Sequence, residues 1–182
     1  MPRLQLQLNE SGSGQIEILR SDPANADLEM RRFIQLAYRG QIRGGFFIEQ
    51  IEREEKEGEQ WVRISGRGML SILDDAVVWA EDLNKREFTS MSVGEILKTL
   101  VDEAQARGCF SNLDLSFDET NDTTGTAWGE WLTMSLSIGT SLLEVVHQFA
   151  QYGYDFNVVP WQVVRDLFVG LSADWSGLWL EC

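Results

Sequence analysis

The chain has 182 residues, of which 43% are hydrophobic and 24% charged, and its formal net charge is −14. This length and composition predict one soluble globular domain, or two small ones, with a core large enough to fold without metals or disulfides. With 15 Lys and Arg residues against 29 Asp and Glu, the charge argues against tight binding to nucleic acid. The affinity for phosphate backbones comes mostly from Lys and Arg.

No stretch reaches the roughly 18 consecutive apolar residues that a membrane span requires. The first residues, Met-Pro-Arg-Leu-Gln, do not form the apolar segment of a signal peptide. We therefore expect a protein that is made in a cytoplasm and either stays there or leaves inside a particle. Cys109 and Cys182 are too few for a disulfide framework and are expected to be free thiols.

The first 68 residues show the apolar and polar alternation of β-strands. Strands are predicted at 4–8, 16–18, 33–38, 46–51 and 61–65. Turns are predicted at 9–14, at the charged run 52–59, and at Gly66-Arg67-Gly68. Short strands joined by turns at this spacing indicate an antiparallel sheet or barrel.

The remaining residues alternate helices with strands. After a short helical turn at 69–73, Ser92 with Glu95 and Ser141 with Glu144 each fit a capping box, in which two side chains satisfy backbone N–H groups of the first helical turn. Glycines at the positions that close a helix predict ends near 108 and 153. Further strands are predicted at 113–117, 132–138 and 154–158, the last stopped by Pro160.

The predicted fold class is therefore α+β. Residues 1–68 are expected to form an antiparallel, barrel-like β region. Residues 69–182 are expected to form an inserted or following α/β module with two capped helices, whose C-terminal strands return to the barrel.

The chain carries few of the residues that catalysis needs. His147 is the only histidine, and its position in the middle of a predicted helix indicates a surface side chain. No Cys or His pair has the spacing of metal ligands, and neither a P-loop nor a dinucleotide-binding motif is present. We accordingly predict no catalytic, cofactor-binding or metal-binding residues, and no cofactor.

One loop leaves an alternative open. Residues 118–129 are polar and include Asp118 and Asp122, and calcium is bound by several carboxylate oxygens at once. The spacing matches no EF-hand, so a solvated loop and a weak calcium site are both compatible with it.

Seven tryptophans are the most informative feature for binding. Tryptophan is enriched at interface hot spots, although each ring could instead pack in the core. The apolar C-terminal segment 174–180 is hard to bury in so small a domain, so a contact with another subunit is predicted there and at the first strand. The predicted interface residues are Leu4, Leu6, Leu8, Trp175, Leu178 and Trp179.

Several segments, taken in order, resemble a known family. They are Leu-Gln-Leu-Asn-Glu-Ser-Gly-Ser-Gly-Gln-Ile at 6–16, Tyr-Arg-Gly at 38–40, Gly-Phe-Phe-Ile-Glu at 45–49, Trp-Val-Arg-Ile-Ser-Gly-Arg-Gly-Met-Leu-Ser-Ile-Leu-Asp at 61–74, Val-Val-Trp at 77–79, Ser-Val-Gly-Glu-Ile-Leu at 92–97 and Gly-Thr-Ser-Leu-Leu-Glu-Val-Val at 139–146. Together they resemble the minor tail proteins of long-tailed phages that are related to the baseplate hub.

The resemblance implies a tail-tube-like barrel carrying an α/β module, with no catalytic residues. It implies subunits that form a ring, most often a trimer, which closes the tail tube. We therefore expect a structural tail-tip subunit of the virion, in contact with other copies and with tail proteins such as the distal tail ring. Phage DNA is expected to pass it only in transit, and the acidic charge suits a surface to which DNA does not adhere.

Two other classes of function are compatible with the sequence. A carbohydrate- or receptor-binding tail module would use exposed tryptophans to stack on sugars. An enzyme such as a cell-wall hydrolase would need two facing carboxylates. With 29 acidic residues in the chain, some pair always looks suitable, so the presence of such a pair in the sequence is not evidence for an enzyme.

Overall fold

The computed structural model describes residues 3–7, 10–38, 41–56, 58–81, 84–110, 115–116, 118–122, 124–129, 131–160 and 178–181. The chain divides into two compact units, Met1–Ser71 and Ile72–Cys182. Among the described helices, none has the length and apolar composition to cross a bilayer. The fold is α+β, with mostly antiparallel strand pairs, one parallel pair and two capped α-helices, which confirms the predicted class.

The first unit is built from antiparallel strands. They are β1 (Arg3–Gln7), β2 (Glu10–Leu19), β3 (Phe33–Tyr38), β4 (Gln41–Phe47), β5 (Gln50–Lys56) and β6 (Glu59–Arg67), with a short 3-10 helix at Pro23–Asp27. Four of them form one sheet in the order β1-β2-β6-β5, while β3 and β4 form a separate hairpin.

The core of the first unit lies on one face of the four-stranded sheet. Ile64 on the central strand β6 pairs with Ile16 on β2 and with Ile51 on β5, so three isoleucines form one row across the sheet. Phe46 and Ile48, at and just after the end of β4, are fully buried against this row. The alternation that predicted the strands thus supplies the face on which the core forms.

Two predicted turns of the first unit are wrong. Most of the predicted turn at 9–14 belongs to β2, and most of the charged run 52–59 belongs to β5. In β5 the acidic residues pair across to β6, with Glu52 opposite Arg63. A charged run is stable as a strand when the neighbouring strand supplies the opposite charge. The predicted strand 46–51 is divided between β4 and β5.

Glycines in β2 and β6 leave the space in which the end of β4 packs against these two strands. Gly14 and Gly66 face each other across β2 and β6. A Cβ atom at Gly14 would lie 1.9 Å from the Phe46 ring, and one at Gly66 would lie 1.7 Å from the Phe47 carbonyl oxygen. Gly66 is thus part of a strand and Gly68 bridges to Phe46, which corrects the prediction that 66–68 is only a turn.

The second unit combines helices and short strands. A 3-10 helix, Met69–Asp75, spans the boundary between the units and confirms the predicted helical turn. The elements that follow are β7 (Lys85–Ser92), α1 (Val93–Ala106), β8 (Leu115–Ser116), β9 (Trp131–Ser137), α2 (Leu142–Ala150), β10 (Asn157–Pro160) and β11 (Leu178–Glu181). Strands β7 and β9 pair antiparallel, and β11 lies between β10 and β8.

Both α-helices begin and end where the sequence predicts. The Ser92 Oγ accepts from the Glu95 N–H at 3.2 Å, and the Ser92 N–H donates to the Glu95 carboxylate at 2.8 Å, a complete capping box. Of the predicted second box, the structure shows the Ser141 half, with its Oγ accepting from the Glu144 N–H at 3.2 Å. The glycines predicted to follow the helices, at 108 and 153, have φ values of 87° and 86°.

The domain division itself stays a prediction. The strand order places β11 beside β10 and β8 within the second unit, and the return of C-terminal strands to a barrel stays a prediction with it.

We expect the Gly66→Ala change to destabilise the fold by about 1–3 kcal/mol, because the added Cβ meets a main-chain oxygen that cannot move independently. Gly129→Ala is the matched control, since a Cβ there meets no atom within 4 Å, and its effect should stay within about 0.5 kcal/mol. Urea unfolding of the two variants and the parent measures the difference. Equal stabilities would contradict the close approach of β4 to Gly66.

The Ser92→Ala change should cost about 1 kcal/mol of unfolding free energy, because it removes the acceptor for the Glu95 N–H at the start of α1. Ser137→Ala, at an exposed position of β9, serves as a control of the same size and should be nearly neutral. Thermal unfolding of both variants measures the effect. An unchanged melting temperature for Ser92→Ala would show that this cap does not stabilise the helix.

Candidate functional site

Four of the six predicted interface residues lie on two described strands. Leu4 and Leu6 lie in β1, which is an edge strand of the four-stranded sheet. Leu178 and Trp179 lie in β11, where they pair with β10 and β8. Leu8 and Trp175 lie outside the described residues. An edge strand presents main-chain donors and acceptors to a further strand, so β1 is a candidate contact surface, and its role in an interface stays a prediction.

The face of the four-stranded sheet opposite the core carries an ion-pair network. Arg63 on β6 contacts Glu17 on β2 at 2.9 Å and Glu54 on β5 at 2.6 Å. Lys56 contacts the same two glutamates, each at 3.0 Å. Glu52 adds a further carboxylate 3.6 Å from Arg63. We call these five residues the outer charge network.

Each cation in the outer charge network is surrounded by carboxylates. Hydrogen bonds from Lys56, and secondly from Arg63, lower the pKa of Glu17. Hydrogen bonds to Glu54, and secondly to Glu17, raise the pKa of Lys56. Phosphate would have to displace a carboxylate to bind either cation, so this face is poorly suited to hold nucleic acid.

The polar loop at 118–129 is ordered by its own carboxylates. Asp118 accepts hydrogen bonds from the Thr120 N–H at 2.8 Å and hydroxyl at 2.7 Å, and from the Asn121 side chain at 3.2 Å. Asp122 accepts in the same way from the N–H groups of Thr124 and Thr126, at 2.9 and 2.8 Å. These aspartates therefore support turns within the loop.

The Trp128 side chain packs the end of this loop against other elements of the second unit. The Trp128 ring stacks on Phe156 at 5.7 Å between centroids and meets the edge of Tyr154 at 5.7 Å. A Cβ at Gly94, in the first turn of α1, would lie 2.1 Å from the Trp128 indole nitrogen. The glycine at position 94 leaves the space that the indole fills.

The calcium alternative gains no support from this geometry. In the described part of the chain, no group of three or more His, Cys, Asp or Glu side chains is arranged to hold a metal ion. The oxygens of Asp118 and Asp122 accept from the loop itself. His147 lies on the exposed side of α2, as its position in the helix predicted.

Sequence reasoning missed the outer charge network and the position of Trp128. The acids of β5 alternate with Ile51 and Arg53. Side chains two residues apart share one face of a strand, so this alternation could have revealed the outer charge network. The contact of Trp128 with Gly94 joins residues far apart in sequence and has no comparable local signal.

Comparison with solved structures finds tail proteins, two of them from prophages. A tail protein from Neisseria meningitidis MC58 has a TM-score of 0.50 and 18% identity, over 98% of this chain and 44% of that one. Prophage tail protein gp18 from Listeria monocytogenes EGD-e has a TM-score of 0.53 and 16% identity, over 98% and 43%. The 43 kDa tail protein of prophage MuSo2 from Shewanella oneidensis has a TM-score of 0.52 and 14% identity, over 94% and 47%.

Neither the protein-family models nor the curated proteins give a match to the sequence. The chain therefore shares a fold with phage tail proteins at low sequence identity, and it spans less than half the length of each of the three. The resemblance noted in the sequence is confirmed at this level, that of the phage tail protein fold.

The acidic loop should give the protein a measurable pH dependence. The Thr120 hydroxyl, followed by the Thr120 and Asn121 donors, lowers the pKa of Asp118 from 3.8 to about 2. Because the folded state favours the ionised form, the stability contributed by Asp118 is present above pH 3.8 and is lost as the pH falls towards about 2.

Titration of the Asp118 carboxyl carbon by NMR tests this expectation. The Thr120→Val change removes the hydroxyl donor and should move the pKa of Asp118 back towards 3.8. In the Asp118→Asn variant, the part of the acid destabilisation that comes from this group should disappear. Titration of wild-type Asp118 at the ordinary value would show that the loop hydrogen bonds do not form in solution.

Proposed function

We propose that this chain is a structural subunit of a phage tail. The observation that carries the proposal is the shared fold with three tail proteins, two of them from prophages, over 94–98% of this chain. The elements of both units take part in the match, so it is not limited to one common motif. We propose a structural role rather than an enzymatic one.

The position proposed within the tail is the tip, where the chain acts as a hub subunit. Three copies form a ring that closes the tail tube. The sequence resemblance to hub-related minor tail proteins supports this position. The β1 edge strand supports assembly, because its outer main-chain groups are placed to pair with another strand. Contacts with other tail proteins, such as the distal tail ring, belong to the same proposal.

Passage of DNA through the ring is proposed on electrostatic grounds. The chain has a net charge of −14, and the cations of the outer charge network are covered by carboxylates. A lumen lined by such a surface repels DNA and offers few cations to replace its counterions. We assign strands β1 and β2 to the wall of that lumen.

A carbohydrate- or receptor-binding tail module is the alternative. Trp79 and Trp131 are 49% and 69% exposed, and exposed indole rings can stack on sugars. The open cleft described in the first unit, about 450 Å³ in volume, is lined by Leu19, Arg20, Ser21, Glu59 and Gln60. The described residues of this lining include no aromatic side chain, so the structural role is the better supported of the two.

The ring is tested by the oligomeric state of the chain in solution. We expect native mass spectrometry and sedimentation to find an oligomer, with a trimer predominant. A specific interface buries more than roughly 1,000 Å². Replacing Leu4 and Leu6 with Asp should weaken association by at least about tenfold, because the charges oppose burial of the β1 edge.

Met30→Asp is the matched control, because Met30 is an exposed apolar residue, at 56%, outside the strands. It should leave the oligomer unchanged. A wild-type chain that stays monomeric at high concentration would overturn the ring, while the shared tail fold would stand.

A further inference from the structure

Strand β9 has one edge that faces away from its partner strand β7. Just after β9, the Ile138 N–H donates to the Asn84 carbonyl, just before β7, at 3.3 Å. Successive residues of a strand direct their main-chain groups to opposite edges. Ser135 and Thr133 stand an odd number of positions before Ile138, so their main-chain groups point away from β7, towards the outer edge of β9.

The outer edge is open along the middle of β9. Within the described residues, Thr133 and Ser135 make no main-chain hydrogen bond on that side, and both side chains are exposed. The Ser137 carbonyl accepts from the Thr140 N–H at 3.2 Å, so the open part of the edge ends before that carbonyl. A sheet of only two strands is thus left with unpaired donors and acceptors.

The outer edge of β9 also lacks charged side chains. The strand reads Trp-Leu-Thr-Met-Ser-Leu-Ser. By contrast, the edge strand β5 of the first unit reads Gln-Ile-Glu-Arg-Glu-Glu-Lys. Charges on an edge strand prevent further strands from pairing with it. Strand β5 has this protection and β9 does not, so β9 is the better suited of the two to pair with another strand.

The sequence of β9 is complementary to itself. If two copies run antiparallel about Met134, Thr133 lies opposite Ser135 of the second copy. The main-chain groups of both residues face the shared edge, so each such pair exchanges two hydrogen bonds. On the other face, Leu132 lies opposite Leu136 of the second copy. Thr–Ser pairs and apolar pairs directly opposite each other stabilise a sheet, and no like charges meet in this register.

Pairing would also cover apolar side chains that a single copy leaves accessible. Trp131, at the start of β9, is 69% exposed, and in this register it lies opposite Ser137 of the second copy. Leu132 and Met134 are only half-buried, although they share a face with the buried Leu136. Tryptophan is enriched at interface hot spots, so the position of Trp131 beside an open edge favours a contact there.

We propose that the outer edge of β9 is a contact surface for a second copy of this chain. The two β9 strands pair antiparallel about a two-fold axis at Met134 and join their sheets in the order β7-β9-β9-β7. A two-fold contact uses the same patch on both copies, as the self-complementary register requires. This contact lies in the second unit, whereas the β1 edge lies in the first, so it does not depend on the proposed ring.

Paired charges at positions 133 and 135 test the register. Thr133→Lys with Ser135→Lys places like charges opposite each other in both pairs and should weaken dimerisation at least about tenfold. Thr133→Lys with Ser135→Glu places opposite charges there and should keep the affinity within about threefold of the parent. Sedimentation velocity measures association of the full chain, with and without Leu4→Asp and Leu6→Asp, so that any contribution of the β1 edge is separated.

Removal of the exposed indole gives a second measurement on the same samples. Trp131→Ser should weaken dimerisation by at least about tenfold, as expected for a tryptophan at an interface. Tyr152→Ser is the matched control, because Tyr152 is an aromatic residue of the second unit that is 53% exposed and lies outside β9. Its dimerisation should equal that of the parent.

Three results would each overturn the proposal. They are a parent chain that does not dimerise up to its solubility limit, equal affinities for the two charge variants, and an unchanged affinity for Trp131→Ser. Circular dichroism spectra like that of the parent show that each variant is folded. With Leu4→Asp and Leu6→Asp present, dimerisation is measured without the β1 edge, so failure of the ring and failure of the β9 contact give different results.

Discussion

The first unit depends on the absence of side chains at one strand crossing. Phe46 is fully buried where β4 ends over β2 and β6. Gly14 leaves room for its ring, and Gly66 leaves room for the Phe47 carbonyl that follows it. With any larger residue, the ring and the main chain that follows would have to move away from the sheet. Ile48 and the isoleucine row centred on Ile64 would then lose the side chain that covers them.

The same unit separates its apolar and charged faces through strand register. The isoleucines of β2, β6 and β5 form one row, and the neighbouring positions place Glu17, Arg63 and Glu52 in a row on the other face. A shift of one residue would bury this charged row and expose the isoleucines. The outer charge network and the core therefore favour the same strand register. Because packing of the isoleucines sets that register, it also places the charged row on the face that we propose to meet DNA.

In the second unit, the polar loop at 118–129 is held in two ways: short-range hydrogen bonds form its turns, and aromatic packing attaches its end to neighbouring elements. The loop aspartates accept hydrogen bonds from residues two to four positions later, so the loop carries its own turns. Trp128 joins it to Phe156 and to the glycine in the first turn of α1. The polar loop is thereby a structural element of the second unit.

The sequence by itself determined the fold class, most strand positions and both helix starts, because alternation and capping act between residues a few positions apart. Ser92 and Glu95 can only meet in the first turn of a helix, so their spacing was sufficient. For the candidate surfaces it predicted a subunit contact at the first strand, but it did not predict the outer charge network. Only the tertiary structure decided that Glu17 meets Arg63, 46 positions away, and that Gly14 lies against Phe46. These contacts depend on which strands become neighbours, and that choice is made by burial of the whole core rather than by any local pattern.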